Sequence, residues 1–234
     1  MATPLHIGIV ACSAEGAALC YTTICTEGEV LLGRYAHPEV SLHSIPFSEY
    51  VACLNAGDYS GVAKLMLDSA EKLAASGADF LICPDNTIHP AFEQVAAASR
   101  LPWLHIAKVV ADKASQNGYH RLGITGTRWL AASTVYPEQL EARGLEYLRP
   151  MDEERDEIGR LIMDELVHGV FKPETVVYFQ QVIQHLKERG CDAVVLGCTE
   201  IPLIISDDNS PLPTLDSTRL LARAALYRAI KGTS

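Results

Sequence analysis

CDAVVLGCTEI at residues 191–201 and ADFLICPDNTIH at residues 78–89 decide the fold. Each stretch follows a glycine that ends a helical segment, runs through a short apolar strand and opens into a polar turn. Short apolar runs alternate with longer helical stretches along almost the whole chain, which is the pattern of strand and crossover helix in a parallel sheet. The sequence therefore predicts an α/β fold of two similar lobes, each a parallel sheet flanked by helices.

The candidate strands are short runs rich in apolar residues and bounded by turn residues. They are residues 5–11, 40–45, 79–83, 102–106, 121–126, 145–148 and 192–197. An amphipathic helix is predicted over 59–75, stopped by Gly77, and a last helix over 218–230 returns to the first lobe. We predict a first lobe of residues 1–100 plus 212–234 and a second lobe of residues 101–211.

The composition disfavours several function classes. The chain has 234 residues, 48% of them hydrophobic, and a formal net charge of -10, which opposes binding to nucleic acid. Its seven cysteines are odd in number and scattered, so we interpret them as reduced thiols. The histidines and cysteines form neither CxxC nor HExxH, and ACSAEG at 11–16 lacks the glycines of GxGxxG. Neither a metal nor a dinucleotide cofactor is expected.

The first residues, MATPLHIGIVAC, lack the basic region and longer apolar segment of a secretory signal. No later run approaches the ~20 apolar residues of a membrane span. We therefore expect a cytoplasmic protein without a membrane partner.

Cys198 is the leading candidate for chemistry. A lone cysteine is more often a small buried hydrophobe than a catalyst. Here, however, Gly197 allows close approach of the backbone, and Thr199 and Glu200 are polar at the mouth of an apolar strand. A helix predicted to start after them would lower the pKa of the thiol. A thiol in this setting can both give and take a proton.

Asp85 occupies the equivalent place after the other strand, followed by Asn86 and Thr87. One interpretation is structural, because PDNT before a helix is ordinary N-cap chemistry. In the functional interpretation, Asn86 and Thr87 hold a substrate carboxylate. Asp85 and Cys198 then face each other across a cleft between the lobes and exchange a proton on the neighbouring carbon.

ITGTRW at 124–129 places Gly126 and Thr127 after another strand. Turn formation explains the glycine, yet the carboxyl end of a strand is also where open α/β sheets bind ligands. We interpret His89 and His105, each near a strand end, as structural hydrogen-bonding residues ahead of catalytic ones.

At these residues the sequence resembles the aspartate/glutamate racemase family, a group of pyridoxal-independent racemases. The most specific motifs are DNTIH (85–89), LPWLHIA (101–107), LGITGTR (122–128), the predicted helix YPEQL (136–140) and above all GCTEIPLII (197–205). PTLDST (213–218) also resembles the closing turn of the family. The resemblance implies two lobes related by pseudo-twofold symmetry, a site between them, no cofactor and a homodimer. It also implies two opposed cysteines that act as acid and base on the α-carbon.

The chain keeps the second of these cysteines as Cys198 and has Asp85 at the position of the first. A carboxyl group can move a proton if burial or the charge of the substrate raises its pKa. The expected working form is protonated Asp85 with the thiolate of Cys198. The positions assigned to substrate binding are Asn86, Thr87, Thr127, Thr199, Ser13 and Gly126.

The sequence thus predicts an amino-acid racemase acting on a small carboxylate. Two alternatives stay open: a single-cysteine decarboxylase or cis-trans isomerase of a dicarboxylate, and a carboxylate-binding relative without activity. An acidic substrate needs a cation for its second carboxylate, and Arg128 is the nearest candidate in sequence.

Overall fold

A computed structural model describes residues 3–232, which form two compact units. One unit extends to Ile106 and takes in the chain from Thr218 onward, and the other is Ala107–Ser217. Each unit contains a four-stranded sheet whose strands are all parallel. The predicted α/β class, with two similar parallel sheets flanked by helices, is confirmed.

In chain order the strands are β1 (Ile7–Ala11), β2 (Val40–Ser44), β3 (Phe80–Ile82), β4 (Trp103–Leu104), β5 (Arg121–Thr125), β6 (Glu146–Leu148), β7 (Ala193–Leu196) and β8 (Thr214–Asp216). The α-helices are α1 (Ala14–Leu32), α2 (Phe47–Ala56), α3 (Tyr59–Ala75), α4 (Phe92–Ala98), α5 (Ile106–Gln116), α6 (Arg128–Ala132), α7 (Val135–Glu141), α8 (Asp152–Asp164), α9 (Pro173–Glu188) and α10 (Ser217–Lys231).

The two sheets have the same strand order, β2-β1-β3-β4 in one unit and β6-β5-β7-β8 in the other. In each sheet the chain first crosses to one side of the starting strand and then returns to the other side. The order therefore reverses between β1 and β3, and again between β5 and β7. Open α/β sheets bind ligands outside the carboxyl ends of the strands at such a switch point, so the segments after these four strands are where a site is expected.

Two short edge strands depart from the prediction. Residues 102–106 were assigned to the second lobe, but β4 pairs with β3 and belongs to the first sheet. Residues 213–218 were predicted as a closing turn, but β8 pairs with β7. The unit boundaries accordingly fall at 106/107 and 217/218 in place of 100/101 and 211/212. Strands of two or three residues carry almost no periodicity, so non-local pairing alone defines them.

Apolar packing fixes the strands that carry the switch points. All five residues of β1 and all four of β7 are buried. Around β7 the core of the second unit is built from α8 and α9, with Ile162, Phe179 and Ile183 fully or almost fully buried. In the first unit α10 packs back onto the structure, where the Leu5 amide donates to the Ala229 carbonyl at 2.8 Å. Among residues 3–232, no helix is both long and apolar enough to cross a bilayer.

Candidate functional site

The second unit carries Cys198 directly after Gly197, at the carboxyl end of β7. Three hydrogen bonds hold this strand end in place. The Thr125 hydroxyl donates to the Val195 carbonyl at 2.8 Å, and the Gly197 amide donates to the Thr125 carbonyl at 2.9 Å. From the other side, the buried Ser217 hydroxyl donates to the Leu196 carbonyl at 2.8 Å. The backbone that presents Cys198 is thus anchored to β5 and to the first residue of α10.

Gly126 and Gly197 let the ends of β5 and β7 come close together. A Cβ added at Gly197 would lie 2.5 Å from the Thr125 carbonyl oxygen and 2.6 Å from Leu130 Cδ2. A Cβ added at Gly126 would lie 2.9 Å from the Gly197 carbonyl oxygen, and Gly126 has a φ of +156°. Both positions therefore require glycine for steric reasons. The predicted role of Gly126 in ligand binding stays a prediction beside this packing role.

The thiol of Cys198 donates to the Glu200 carboxylate, with 2.8 Å between Sγ and Oε2. Both side chains are buried, Cys198 at 7% and Glu200 at 2% exposure. Among the described residues, the Cys198 thiol is the hydrogen-bond donor to the Glu200 carboxylate. A base in direct contact with the thiol can accept its proton, so the pair has the elements of acid/base chemistry.

From the sequence alone, Glu200 is only a polar neighbour of Cys198. The α-helix expected after Glu200 is absent from the described residues. Cys198 is followed by a single 3-10 turn, Ile201–Leu203. The expected α-helix start is therefore not what lies beside the sulfur, and the group in contact with it is a carboxylate. The sequence does place an acidic residue two positions after the cysteine. Whether that side chain points to the sulfur depends on the geometry of the turn, which spacing alone does not specify.

Thr127 and Thr199 complete this half-site. Thr127 is buried and is the N-cap of α6, where its hydroxyl accepts from the Leu130 amide at 3.3 Å. Thr199 is buried beside Cys198. Arg128, the candidate for a second substrate carboxylate, is the first residue of α6 and is exposed. Its guanidinium lies over the Trp129 ring at 4.6 Å.

The first unit carries Asp85, Asn86 and Thr87 after β3, and all three are buried. Asp85 Oδ1 accepts from the Thr87 amide at 2.9 Å, which closes a tight turn over Asn86. The expected N-cap of an α-helix is wrong, because a 3-10 turn begins at His89 and α4 begins only at Phe92. The Asp85 carboxylate instead shapes the loop that contains Asn86 and Thr87, the residues predicted to hold the carboxylate of the substrate.

His89 holds this loop in place through hydrogen bonds that involve both of its ring nitrogens. Its Nδ1 donates to the Asp85 carbonyl at 2.6 Å, and its Nε2 accepts from the Ile106 amide at 3.3 Å. These two bonds fix the neutral tautomer with the proton on Nδ1. Burial lowers the pKa of His89 well below its ordinary value, and the neighbouring His105 lowers it further. The predicted structural role of His89 agrees with this geometry, because both ring nitrogens are engaged.

Cys83 and Tyr50 lie close to Asp85. Burial raises the pKa of the Cys83 thiol well above its ordinary value, and the Asp85 charge adds to this effect. Cys83 therefore stays a neutral thiol and is a poor base. Burial likewise raises the pKa of Tyr50, with Cys83, Cys12 and Asp85 adding to it. No local pattern in the sequence indicates that the Tyr50 phenol, from α2, lies close enough to Asp85 for their charges to interact.

Ser13 lies after β1, on the other side of the same switch point. It is the N-cap of α1, and its hydroxyl accepts from the Gly16 amide at 3.4 Å. Within the described part of the chain, His, Cys, Asp and Glu side chains form no group of three able to hold a metal ion.

Fold and turns together define an α/β protein with an ionisable side chain at the ligand-binding end of each sheet, a carboxyl group in one unit and a thiol in the other. The model of the Asp/Glu/hydantoin racemase family matches residues 28–225. The chain belongs to this family, and the predicted enzyme class, an isomerase of the racemase type, is confirmed.

Individual relatives agree with this membership. The chain is 24% identical over 193 residues to the broad specificity amino-acid racemase RacX of Bacillus subtilis (strain 168), covering 81% of each protein. A Yersinia pestis crystal structure, provisionally assigned as an Asp/Glu racemase, is 29% identical with a TM-score of 0.88, covering 97% of this chain and all of that one. An aspartate racemase homologue from Pyrococcus horikoshii OT3 is 27% identical with a TM-score of 0.83, covering 97% of this chain and 99% of that one.

Proposed function

We propose that this protein is a cofactor-independent amino-acid racemase in which the α-proton moves between Cys198 and Asp85. The observation that carries the proposal is the buried contact of 2.8 Å between Cys198 Sγ and Glu200 Oε2. It supplies the thiol with a partner that can take or hold its proton. Membership of a racemase family supports the reaction type.

The proposed reaction uses two acid/base groups on opposite faces of one carbon. Cys198 first passes its proton to Glu200, and the resulting thiolate removes the α-proton of the substrate. Protonated Asp85 delivers its proton to the opposite face of the planar carbanion. The product leaves with inverted configuration, and the enzyme then holds a Cys198 thiol, a protonated Glu200 and an Asp85 carboxylate, the form suited to the other enantiomer. Protons return through solvent between turnovers.

The proposed substrate is an α-amino acid held by its carboxylate. Asn86 and Thr87 in one turn, and Thr127 and Thr199 in the other, are short polar side chains of the kind that hydrogen-bond a carboxylate. Hydrogen bonds to this group stabilise the carbanion, because the negative charge spreads onto the carboxylate oxygens as the α-proton leaves. The broad specificity in the printed name of the Bacillus subtilis relative supports a panel of amino acids as the first substrates to test.

A single-cysteine reaction is the second candidate, and the bond between Asp85 Oδ1 and the Thr87 amide favours it. In a decarboxylase or cis-trans isomerase of a dicarboxylate, Asp85 would only shape the turn. Cys198 alone would then donate the proton or add to the substrate.

The test is α-deuterium incorporation and enantiomer formation in deuterated water, with single enantiomers of a panel of amino acids. Asp85→Asn is the decisive variant, because an amide oxygen can still accept from the Thr87 amide while the acid/base group is lost. We expect Asp85→Asn to stop enantiomer formation while Cys198 still exchanges the α-proton of one enantiomer. Cys198→Ala should stop both.

The absence of both exchange and inversion in the wild-type protein across the panel would overturn the racemase proposal. Inversion at the wild-type rate in Asp85→Asn would remove Asp85 from the mechanism. Turnover of a dicarboxylate that needs Cys198 and survives in Asp85→Asn would favour the single-cysteine reaction.

The homodimer and the cytoplasmic location expected from the sequence stay predictions. Light scattering of the purified protein measures the first, and a monomer at micromolar concentration would contradict it.

A further inference from the structure

A cavity of about 360 Å³ lies in the second unit, away from the residues assigned to the proton transfer. Its lining residues come from α6, from the segment after β6 and from the first turns of α8. They are Arg128, Ala131, Ala132, Arg149, Arg155 and Asp156. The volume is near the lower end of the range for small-molecule sites, roughly 300–1,000 Å³.

The lining carries a positive charge on a protein whose formal net charge is -10. Three arginines and Asp156 line the cavity, and Asp152 pairs with Arg155, so the group as a whole has a formal charge of +1. Like charges that converge on one cavity repel each other, and a bound anion relieves this repulsion. The local charge therefore favours an anion.

Neighbouring side chains hold the guanidinium groups in position. Arg149 lies 5.5 Å from the centre of the Tyr147 ring and donates from Nη2 to the Ser133 carbonyl at 2.8 Å. This bond uses one of the five N–H donors of the guanidinium. Arg155 donates to Asp152 at 2.6 Å. A guanidinium fork held in this way is suited to the paired oxygens of a carboxylate or phosphate.

The cavity and the Cys198 turn lie on different faces of α6. Leu130 points towards Gly197, because a Cβ added to that glycine would lie 2.6 Å from Leu130 Cδ2. At 3.6 residues per turn, Arg128 and Ala132 point about 160° away from Leu130. A helix with its side chains is about 10–12 Å thick, which is more than the length of a small amino acid. The arginines are therefore out of reach of a substrate whose α-carbon contacts Cys198.

We propose that this arginine-lined cavity binds a small anionic molecule with paired oxygens, a phosphate ester or a dicarboxylate, at a site separate from Cys198. Asp156 lines the same cavity and can accept a hydrogen bond from a hydroxyl or ammonium group where the ligand carries one. The proposal stands independently of the racemase reaction, because it concerns binding alone.

Two variants of one exposed lining residue separate charge from bulk. Ala132→Glu places a carboxylate in the cavity, and Ala132→Gln adds a neutral side chain of the same shape. Inorganic phosphate and succinate are titrated into each protein by calorimetry at constant ionic strength. We expect wild type and Ala132→Gln to bind one of these probes, and Ala132→Glu to bind it about tenfold more weakly or worse. The probe that binds more tightly identifies the ligand as a phosphate ester or a dicarboxylate.

A second pair of variants decides the question even if Ala132→Glu fails to fold. Arg155→Gln and Arg160→Gln each remove one arginine from α8, but only Arg155 lines the cavity. Weaker binding in Arg155→Gln than in Arg160→Gln supports the site. The proposal is overturned if neither probe binds at about 10 mM. Equal losses in the two arginine variants, or equal affinities in the two Ala132 variants, overturn it as well.

Discussion

Cys198 Sγ lies 2.8 Å from Glu200 Oε2, and both side chains are buried in the turn that follows β7. The two residues are separated by Thr199 alone, so one turn of the backbone holds the thiol and its proton acceptor together. The strand before them is fixed by hydrogen bonds from Thr125 and Ser217. In the proposed reaction these two buried side chains act together as one acid/base unit.

Glu200→Gln should lower the rate of α-deuterium incorporation by about 100-fold or more, because general acid–base groups contribute typically 10²–10⁴-fold. The amide keeps the size of the side chain and an oxygen that can accept from the thiol, but it cannot take the proton. The measurement is single-enantiomer exchange in deuterated water across a range of pH.

The control for this variant is the pH profile. If Glu200 takes the thiol proton, Glu200→Gln should recover part of its activity at high pH, where solvent generates the thiolate. A uniform loss at every pH, together with a lower thermal midpoint, would point to a purely structural role for Glu200.

Gly197→Ala should destabilise the protein by about 1–3 kcal/mol, the usual cost of inserting atoms into packed structure. The new Cβ would lie 2.5 Å from the Thr125 carbonyl oxygen, which belongs to a backbone that cannot move away easily. Gly159→Ala is the matched control. Its Cβ would meet Arg128 only at 3.6 Å, and α8 would gain up to about 1 kcal/mol in helix propensity. Denaturant unfolding of both variants measures the difference, and equal stabilities would contradict the close approach of β5 and β7.

His89 should make the protein less stable as the pH falls below about 6.5, the ordinary pKa of histidine. Burial lowers the pKa of His89 in the folded protein, so below about 6.5 the unfolded chain takes up a proton that the folded protein does not. The free energy of unfolding then decreases with falling pH, by up to about 1.4 kcal/mol per pH unit for this one group. His89→Gln should show a shallower dependence between about pH 6.5 and 5.

His185 provides a control of opposite sign. Its hydrogen bond to Glu154 raises the pKa, so its stabilising contribution is present at low pH and is lost as the pH rises through the raised value. His185→Gln should therefore leave the low-pH loss of stability in place. A slope for His89→Gln equal to that of the wild type would show that His89 takes up a proton in the folded state.

Cys83→Ala should keep the wild-type rate of exchange, although Cys83 lies only two residues before Asp85. Its thiol is fully buried, and its pKa is raised by burial and by the Asp85 charge, so it cannot replace the cysteine that the family resemblance led us to expect at position 85. Cys198→Ala measured in parallel is the positive control. A loss in Cys83→Ala as large as that in Cys198→Ala, with an unchanged thermal midpoint, would contradict this prediction. It would show that the Cys83 thiol takes part in the chemistry.

The interior strands could be predicted from the sequence because their patterns are local and strong. β1, β3, β5 and β7 all fall within the runs predicted for them, and α3 has the predicted bounds of Tyr59 to Ala75. The edge strand β8 was missed. It consists of Thr214–Asp216 and depends on pairing with β7 along Val194 to Leu196, which no local pattern encodes.

The sequence by itself determined that polar turns follow buried parallel strands, and therefore that Asp85 and Cys198 lie at the ligand-binding ends of their sheets. Alternation of apolar strand and helix is sufficient for this, because parallel strands all end at the same edge. Tertiary structure decided what surrounds these residues. The hydrogen bond from the Ile106 amide to His89 and, elsewhere in the molecule, the meeting of three arginines at one cavity join residues distant in the chain. Such contacts depend on packed side-chain directions, which sequence spacing alone does not specify.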